Sequence, residues 1–473
     1  MIRSSFRRVP FACSLRNLAS AGLPCVSSIR RHSGSKASPR AHFSTPTLDS
    51  PGKYHWIDGV ERLDLYEPGG YHPVMIDDFL HDRYRIVDKL GHGGYSTVWL
   101  ARDETAKRYV AVKIGISSPS PSRREPDILQ ALHASISSSI DASQRTALPS
   151  ISDAFDIHGP NGTHTCYTLT PAQGNLKAAS FSRLFPIQVA RALAAKLATT
   201  IAFVHARGFV HGVLDLHLRN VLVGLPSMFD DLSIAEFREK FGQPDMVPIT
   251  RIDEKPLTPN IPTQAVVPLY LGKKAQDFTL HDAYGLILSD FGEAFSPATE
   301  QRLGMEANIP LANRAPEALF EPNEPLSYPF DIWSLGLAIW DILGMKSIFS
   351  EAETHDEIVA QQIDVLGSGH FPDSWRMQWE RQGEDEECTN IAIPRRPTGD
   401  RETWPSLEHA FEEFVQKYRR KREAAGSFGE DETRAILDLI RGMLRFRPEE
   451  RLTIEDVLRS EWMLNWALPE LEQ

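Results

Sequence analysis

Residues 84–114 read YRIVDKLGHGGYSTVWLARDETAKRYVAVKI: a strand, a glycine turn, a return strand, and a third strand carrying one lysine. Tyr84, Ile86 and Leu90 are spaced for the first strand, and Val98, Trp99 and Leu100 begin the return. Gly91, Gly93 and Gly94 fall in the turn between them. Without side chains there, backbone N–H groups can approach phosphate oxygens closely. In the third strand Val110, Val112 and Ile114 share one face, and Ala111 and Lys113 share the other. A small residue to cover adenine beside an ammonium that reaches phosphates is an arrangement for gripping ATP. A glycine hairpin alone is a weak signal. Followed by Val-Ala-Val-Lys at this distance, it is a specific one.

Downstream, PIQVARALAAKLATTIAFVHARGF has apolar residues at Ala190, Leu193, Ala194, Leu197, Ile201 and Val204, a helical stripe closed by Gly208. Directly after it, VHGVLDLHLRNVLV places Asp215 five residues ahead of Asn220. That spacing is common by chance. Behind such a helix it fits a loop whose carboxylate accepts the proton of an attacking hydroxyl while the amide holds a metal ion. Asp290 follows in LILSDFGEAF, a strand and then Asp-Phe-Gly, a setting for a carboxylate that binds Mg²⁺ on nucleotide phosphates. An isolated Asp-Phe-Gly is more often a plain turn; its order after Lys113 and Asp215 favours the metal. Ala315, Pro316 and Glu317 come next, and Arg451 lies in RFRPEERLTIEDVLRSEWM near the C-terminus. A buried Glu317–Arg451 ion pair is expected, with an architectural role. DIWSLGLAIWDILG, from Asp331, is apolar nearly all round and predicts a buried central helix.

Across residues 84–464 this set of motifs resembles a eukaryotic protein kinase. GGYHPVMIDDF followed by YRIVDKLGHGGYSTVWLA is similar to the lead-in and nucleotide loop of the SR-protein kinases, fungal ones in particular. The similarity extends to Ser96, where most kinases place a third glycine. The resemblance implies an α+β, bilobal protein-kinase-like fold, with a small, mostly β N-lobe over residues 84–174 and a large, mostly α C-lobe over 175–464. It implies MgATP as donor and Ser or Thr, typically beside Arg, as acceptor. The implied nucleotide-binding residues are Leu90, Gly91, His92, Gly93, Gly94, Tyr95, Ser96, Val98, Ala111, Lys113 and Glu125. Asp215, Lys113 and Asn220 are the implied catalytic group, Asn220 and Asp290 the metal ligands, Glu317 and Arg451 the structural pair. Glu125, in SRREPDIL, is the candidate partner of Lys113, and Pro126 forces its helix to begin there or bend.

Three positions depart from the family pattern. The usual His-Arg-Asp reads Val213-Leu214-Asp215, and His211-Gly212 read as the start of a His-Gly-Asp version with two residues inserted. With no Arg before Asp215, the cationic pocket that reads a phosphorylated activation loop is missing, so activity independent of loop phosphorylation is expected. His217 stands where Ser/Thr kinases generally have Lys, and near pH 7 it is mostly neutral. Two alternatives stay open: an ATP-binding pseudokinase scaffold, motivated by the segment from His211 to Asp215, and a small-molecule phosphotransferase of the aminoglycoside-kinase type, motivated by His217. The docking segment implied by Glu317 and Arg451 argues against the latter.

The bulk of the chain sets bounds on these readings. Apolar content of 41% and charged content of 24% over 473 residues are ordinary for a globular protein with a sizeable core. No stretch approaches the roughly 18 uncharged apolar residues of a spanning helix. Cys13, Cys25, Cys166 and Cys388 show no metal-ligand spacing, and a reducing compartment is the default. Residues 1–48 carry seven Arg, one Lys and no acid, a charge of +8 that leaves −20 for the rest of a chain of net charge −12. That acidic body disfavours nucleic acid as ligand and suits a basic, Arg/Ser-rich protein substrate; a solvated surface kept for solubility explains most of those charges equally well. The Arg- and Ser-rich, acid-free leader has the composition of a mitochondrial transit peptide. Its bland alternative is a disordered basic tail, and SR-protein kinases are expected in cytoplasm and nucleus. Residues 49–83 read as an N-terminal extension. Residues 224–281 read as an insertion with an amphipathic stretch, LSIAEFREKFG, and a proline-rich connector. A second insertion, 368–432, carries Glu384, Asp385, Glu386 and Glu387 and later Lys417, Arg419, Arg420, Lys421 and Arg422, runs that read as solvated faces or mobile loops. Oligomeric state leaves no mark in the sequence.

Overall fold

The structure, a computed structural model, describes residues 53–118, 124–134, 147–212, 217–225, 227–306, 311–350, 353–381, 393–399 and 401–471. The leader, Asp215 and the acidic run Glu384–Glu387 lie outside the described residues. Six antiparallel strands form the first sheet: β1 (Phe79–Leu80), β2 (Tyr84–Gly93), β3 (Ser96–Asp103), β4 (Arg108–Gly115), β5 (Asp153–Gly159) and β6 (Gly162–Leu169), in the order β1-β2-β3-β4-β6-β5. Alternation decides its faces. Val110, Val112 and Ile114 pack with Tyr84, Ile86, Trp99, Ala101 and Cys166 in one apolar layer. On the other face Val98 lies opposite Lys113, and Leu100 opposite Ala111.

The glycine segment differs from expectation. Gly91 and Gly93 are not turn residues: they continue the β2 ladder opposite Val98 and Ser96, and the turn is confined to Gly94 and Tyr95. Glycine keeps its backbone hydrogen-bonding groups, so the ladder runs on to the tip. An added Cβ at Gly91, Gly93 or Gly94 would meet nothing within 4 Å, so these backbones border open space. The segment that follows β6 is also a strand. β7 (Ala172–Asn175) pairs with β8 (Val221–Gly224), which pairs with β11 (Leu286–Leu288) in a second, three-stranded sheet.

The extension and the first insertion together wrap the sheet. The amphipathic stretch is a helix, Ile234–Phe241, begun by a Ser233–Glu236 capping box. Its Phe237 is fully buried against Val87, Leu100 and Tyr109. The segment expected to be a connector holds two paired strands, β9 (Asp245–Pro248) and β10 (Gln264–Val267). Ile249, Ile261 and Ala265 bury against Val60, Leu63, Tyr66 and Tyr71 of the extension. Leu269 N–H then donates to the Lys89 carbonyl at 2.7 Å, covering an edge of β2 that would otherwise be open.

In the helical part, the striped segment is a helix over Ile187–Ala206, and Gly208 follows with φ +76°. It packs on a buried helix over Tyr328–Leu343 and on Met463–Glu470. Among the described residues, Ile187–Ala206 is the one helix long and apolar enough to cross a membrane, a candidate that the reading of uncharged runs passed over, and most of it is buried in this core. The second basic run also departs from expectation: Arg419 is completely buried. It donates to the carbonyls of Leu343, Phe185, Ala425 and Gly426 and lies over the Phe428 ring, 4.7 Å from its centroid. Burial pulls its guanidinium down to about 10.

Candidate active site

Lys113 sits where the sheet meets the helical part. Its Nζ donates to Glu125 Oε2 at 2.5 Å and to Asp290 Oδ1 at 3.3 Å. Burial would strip its proton, but Glu125, Tyr167 and Asp290 outweigh that and hold the ammonium well above its usual range. Glu125 is fixed from three sides. It accepts from Lys113, from the Tyr167 hydroxyl at 2.5 Å, and through Oε1 from the Phe291 N–H at 3.1 Å. It opens helix α1 (Glu125–Ala134), with Pro126 second, where a missing N–H costs nothing. The sequence found Glu125; it gave no sign of Tyr167.

The pairing of β8 with β11 brings Asn220 beside Ser289, which directly precedes Asp290. Ser289, just past β11, donates through N–H and hydroxyl to the Asn220 carbonyl, each at 2.9 Å. Asn220 N–H in turn bonds the His217 carbonyl at 2.9 Å, and His217 Nδ1 accepts the Arg219 N–H at 3.2 Å. Asp290 adopts the left-handed conformation, φ +68° and ψ 62°, which is costly for a residue with a Cβ and recurs at functional sites. Its carboxylate is half-exposed while Phe291 beside it is fully buried. The oxygen donors of Asp290 and Asn220 suit a hard cation such as Mg²⁺. Of the residues expected to bind nucleotide, Val98, Ala111 and Lys113 share one sheet face; Gly91, His92, Gly93, Gly94, Tyr95 and Ser96 form the hairpin tip; and Leu90 occupies a bulge and packs into the layer that holds Leu269.

One residue that sequence reasoning left as a helix end has a structural task. Asp331, fully buried, accepts the backbone N–H groups of His211 at 2.7 Å and Gly212 at 3.1 Å, and faces His205 Nε2 at 2.9 Å. Burial alone would raise its carboxyl; His205 and His211 more than offset this and hold it below the usual carboxylate range. The His211 ring meets Phe291 edge-on, centroids 4.5 Å apart. Gly212 has φ +59°, and a Cβ there would lie 2.9 Å from the Phe295 ring, so only glycine fits. The chain entering the segment of Asp215 is therefore fixed by Asp331, while Asp215 itself lies outside the described residues.

Beyond Phe291, carboxylates and guanidiniums alternate. Glu300 joins Arg124, next to Glu125, with Arg302, which also pairs with Glu293. Partial burial pushes the Glu300 carboxyl up, and the two arginines pull it further down, to below its usual range. Glu317 and Arg451 form a bidentate buried pair at 2.7 and 2.5 Å. Arg451 also donates to the carbonyls of Arg445, Pro329 and Phe446.

Comparison with known proteins accords with this geometry. Residues 274–463 match the protein kinase domain family. A serine/threonine protein kinase of Aspergillus fumigatus is 26% identical over 89% of this chain and 93% of its own length. Protein kinase dsk1 of Schizosaccharomyces pombe is 34% identical over 34% of this chain and 30% of its own length. Human SRSF protein kinase 3 is 39% identical over 22% of this chain and 18% of its own length. The proteins this chain is similar to thus include serine/threonine and SRSF protein kinases.

Proposed function

We propose that the chain is a bilobal, ATP-dependent serine/threonine protein kinase whose acceptors are basic, Arg/Ser-rich proteins. The observation that carries this reading is the position of Lys113, bonded to both Glu125 and Asp290 while Glu125 holds the Phe291 N–H. An ammonium so placed is charged, oriented and near the carboxylate assigned to the metal. Lys113 positions the nucleotide phosphates, and the tip from Gly91 to Ser96 covers them. Asp215 accepts the proton of the substrate hydroxyl as its oxygen bonds the γ-phosphorus and the bond to the ADP oxygen breaks. Mg²⁺, when held by Asp290 and Asn220, supplies charge neutralisation on the phosphates. Relatives named SRSF protein kinase and the acidic balance outside the leader support a basic acceptor.

Activity is independent of loop phosphorylation on this reading. Glu300 offers Arg124 and Arg302 the anion that a phosphate would otherwise provide. Phosphatase treatment is expected to leave activity intact, and its loss would contradict the idea. The main test is transfer of labelled phosphate from MgATP to an Arg-Ser peptide, by wild type and by Asp215→Ala. Transfer lost in the variant supports the reading. No transfer by wild type, or transfer to metabolites and never to peptides, overturns it.

A further inference from the structure

The N-terminal extension reaches the hairpin tip assigned to the phosphates. Tyr71 is 3% exposed, and its hydroxyl donates to the Gly93 carbonyl at 2.7 Å, from 22 residues away in sequence. The bond falls beside the two-residue turn, where the paired strands themselves end. His92 Nε2 lies 3.4 Å from the Gly59 carbonyl, a second contact from the same extension. On the far side, Ile116 N–H donates to the Tyr95 carbonyl at 2.9 Å.

Tyr71 is itself held firmly. A Cβ on Gly70 would collide with the Leu65 carbonyl, so glycine permits the tight bend in which Tyr71 N–H returns to that carbonyl at 3.0 Å. The Tyr71 carbonyl accepts from Asn161 Nδ2 at 2.7 Å. Its ring packs on Tyr66, centroids 5.5 Å apart, within the layer shared with Ile249, Ile261 and Ala265 of the first insertion. Tyr66 donates its own hydroxyl to Glu61, which pairs with Lys89 in β2, and makes no bond to the tip.

We propose that Tyr71 is a positioning residue for the nucleotide: its hydroxyl, anchored by the extension and the first insertion, holds the glycine tip down over the phosphates. The proposal rests on the kinase reading above. A free glycine hairpin loses backbone entropy whenever it orders on a ligand. A tip already held has less to lose, and the gain shows in affinity for nucleotide rather than in the chemical step.

The experiment compares full-length wild type, Tyr71→Phe and Tyr66→Phe. Both variants lose one buried hydroxyl from the same apolar layer, but only the first touches the tip. Two quantities are read: amide exchange at Gly91–Tyr95 without nucleotide, and KM for MgATP and kcat with an Arg-Ser peptide. For Tyr71→Phe, tip exchange is expected to rise about fivefold, and KM with it, the worth of one neutral hydrogen bond. Its kcat should stay within about twofold of wild type, since the bond acts on binding. Tyr66→Phe should leave both tip exchange and KM at the wild-type level. Unchanged tip exchange in Tyr71→Phe, or an equal rise in both variants, overturns the proposal. Absence of phosphate transfer in wild type would overturn the kinase reading instead, and the exchange measurement would still decide whether the tip is held.

Discussion

In the sheet-rich part, the buried cations Lys89 and Lys113 face carboxylates, Glu61 and Glu125. In the helical part, Arg419 and Arg451 direct most of their donors at backbone carbonyls, and Asp331 receives backbone N–H groups. The difference has a physical meaning. A cation paired with a side chain can change partner when a ligand arrives, as Lys113 must if it is to meet a phosphate. An ion bonded to the backbone at several points fixes the course of the chain, and removing it leaves several buried groups unpaired. One part of the molecule pairs buried charge with side chains, the other with backbone.

Double substitutions test the contrast most severely. Arg451→Met should cost about 3–5 kcal/mol of unfolding free energy, because Glu317 is left buried without its cation. Adding Glu317→Gln should recover little, since the carbonyls of Arg445, Pro329 and Phe446 remain unpaired. Lys89→Met should also cost about 3 kcal/mol, but adding Glu61→Gln should recover most of it, because both charges are then gone. Denaturant titration measures all four variants. Equal recovery in the two pairs would erase the distinction.

Asp331 gives a pH signature. Its folded carboxyl lies below its ordinary value of 3.8. Its contribution is therefore fully present above about pH 4 and is lost as pH falls through the lower, folded value. Asp331→Asn should lower stability at neutral pH and flatten the acid limb of the stability profile. A parallel acid limb in the variant would show that the carboxylate does not carry it. Arg419→Met should follow with a loss of about 2 kcal/mol, with tryptophan emission reporting the helical part and MgATP affinity unchanged. The smallest effect belongs to Glu300→Gln, whose partners are partly solvated: below about 1 kcal/mol in stability, read beside a modest loss of activity.

Much of this was legible in the sequence where the signal is local. Period-two alternation placed Val110, Val112 and Ile114 on one face and Lys113 on the other, and the apolar stripe placed Ile187–Ala206. Pro126 located the start of its helix because proline constrains its own first turn. Lys113, Glu125, Asn220 and Asp290 could be named from motif order, and the β8–β11 pairing explains why Asn220 lies against Ser289, the neighbour of Asp290. What could not be read depends on distant partners. Tyr71 is an ordinary aromatic until Gly93 is folded back against it. Asp331 looks like an acid in the first turn of a helix, and its backbone partners lie about 120 residues upstream. Arg419 sat among five cations within six residues, and nothing local distinguishes the one that turns inward. The extent of β2 was missed because glycine signals a turn, yet glycine backbones also pair.

The central claim is that Lys113, Asn220 and Asp290 converge on one magnesium nucleotide. Calorimetric titration of the full-length chain with ATP, with and without Mg²⁺, beside Asp290→Asn, tests it most directly. The account predicts magnesium-dependent nucleotide binding in wild type and loss of that dependence in the variant. Binding that ignores magnesium, or an Asp290→Asn titration indistinguishable from wild type, would contradict it.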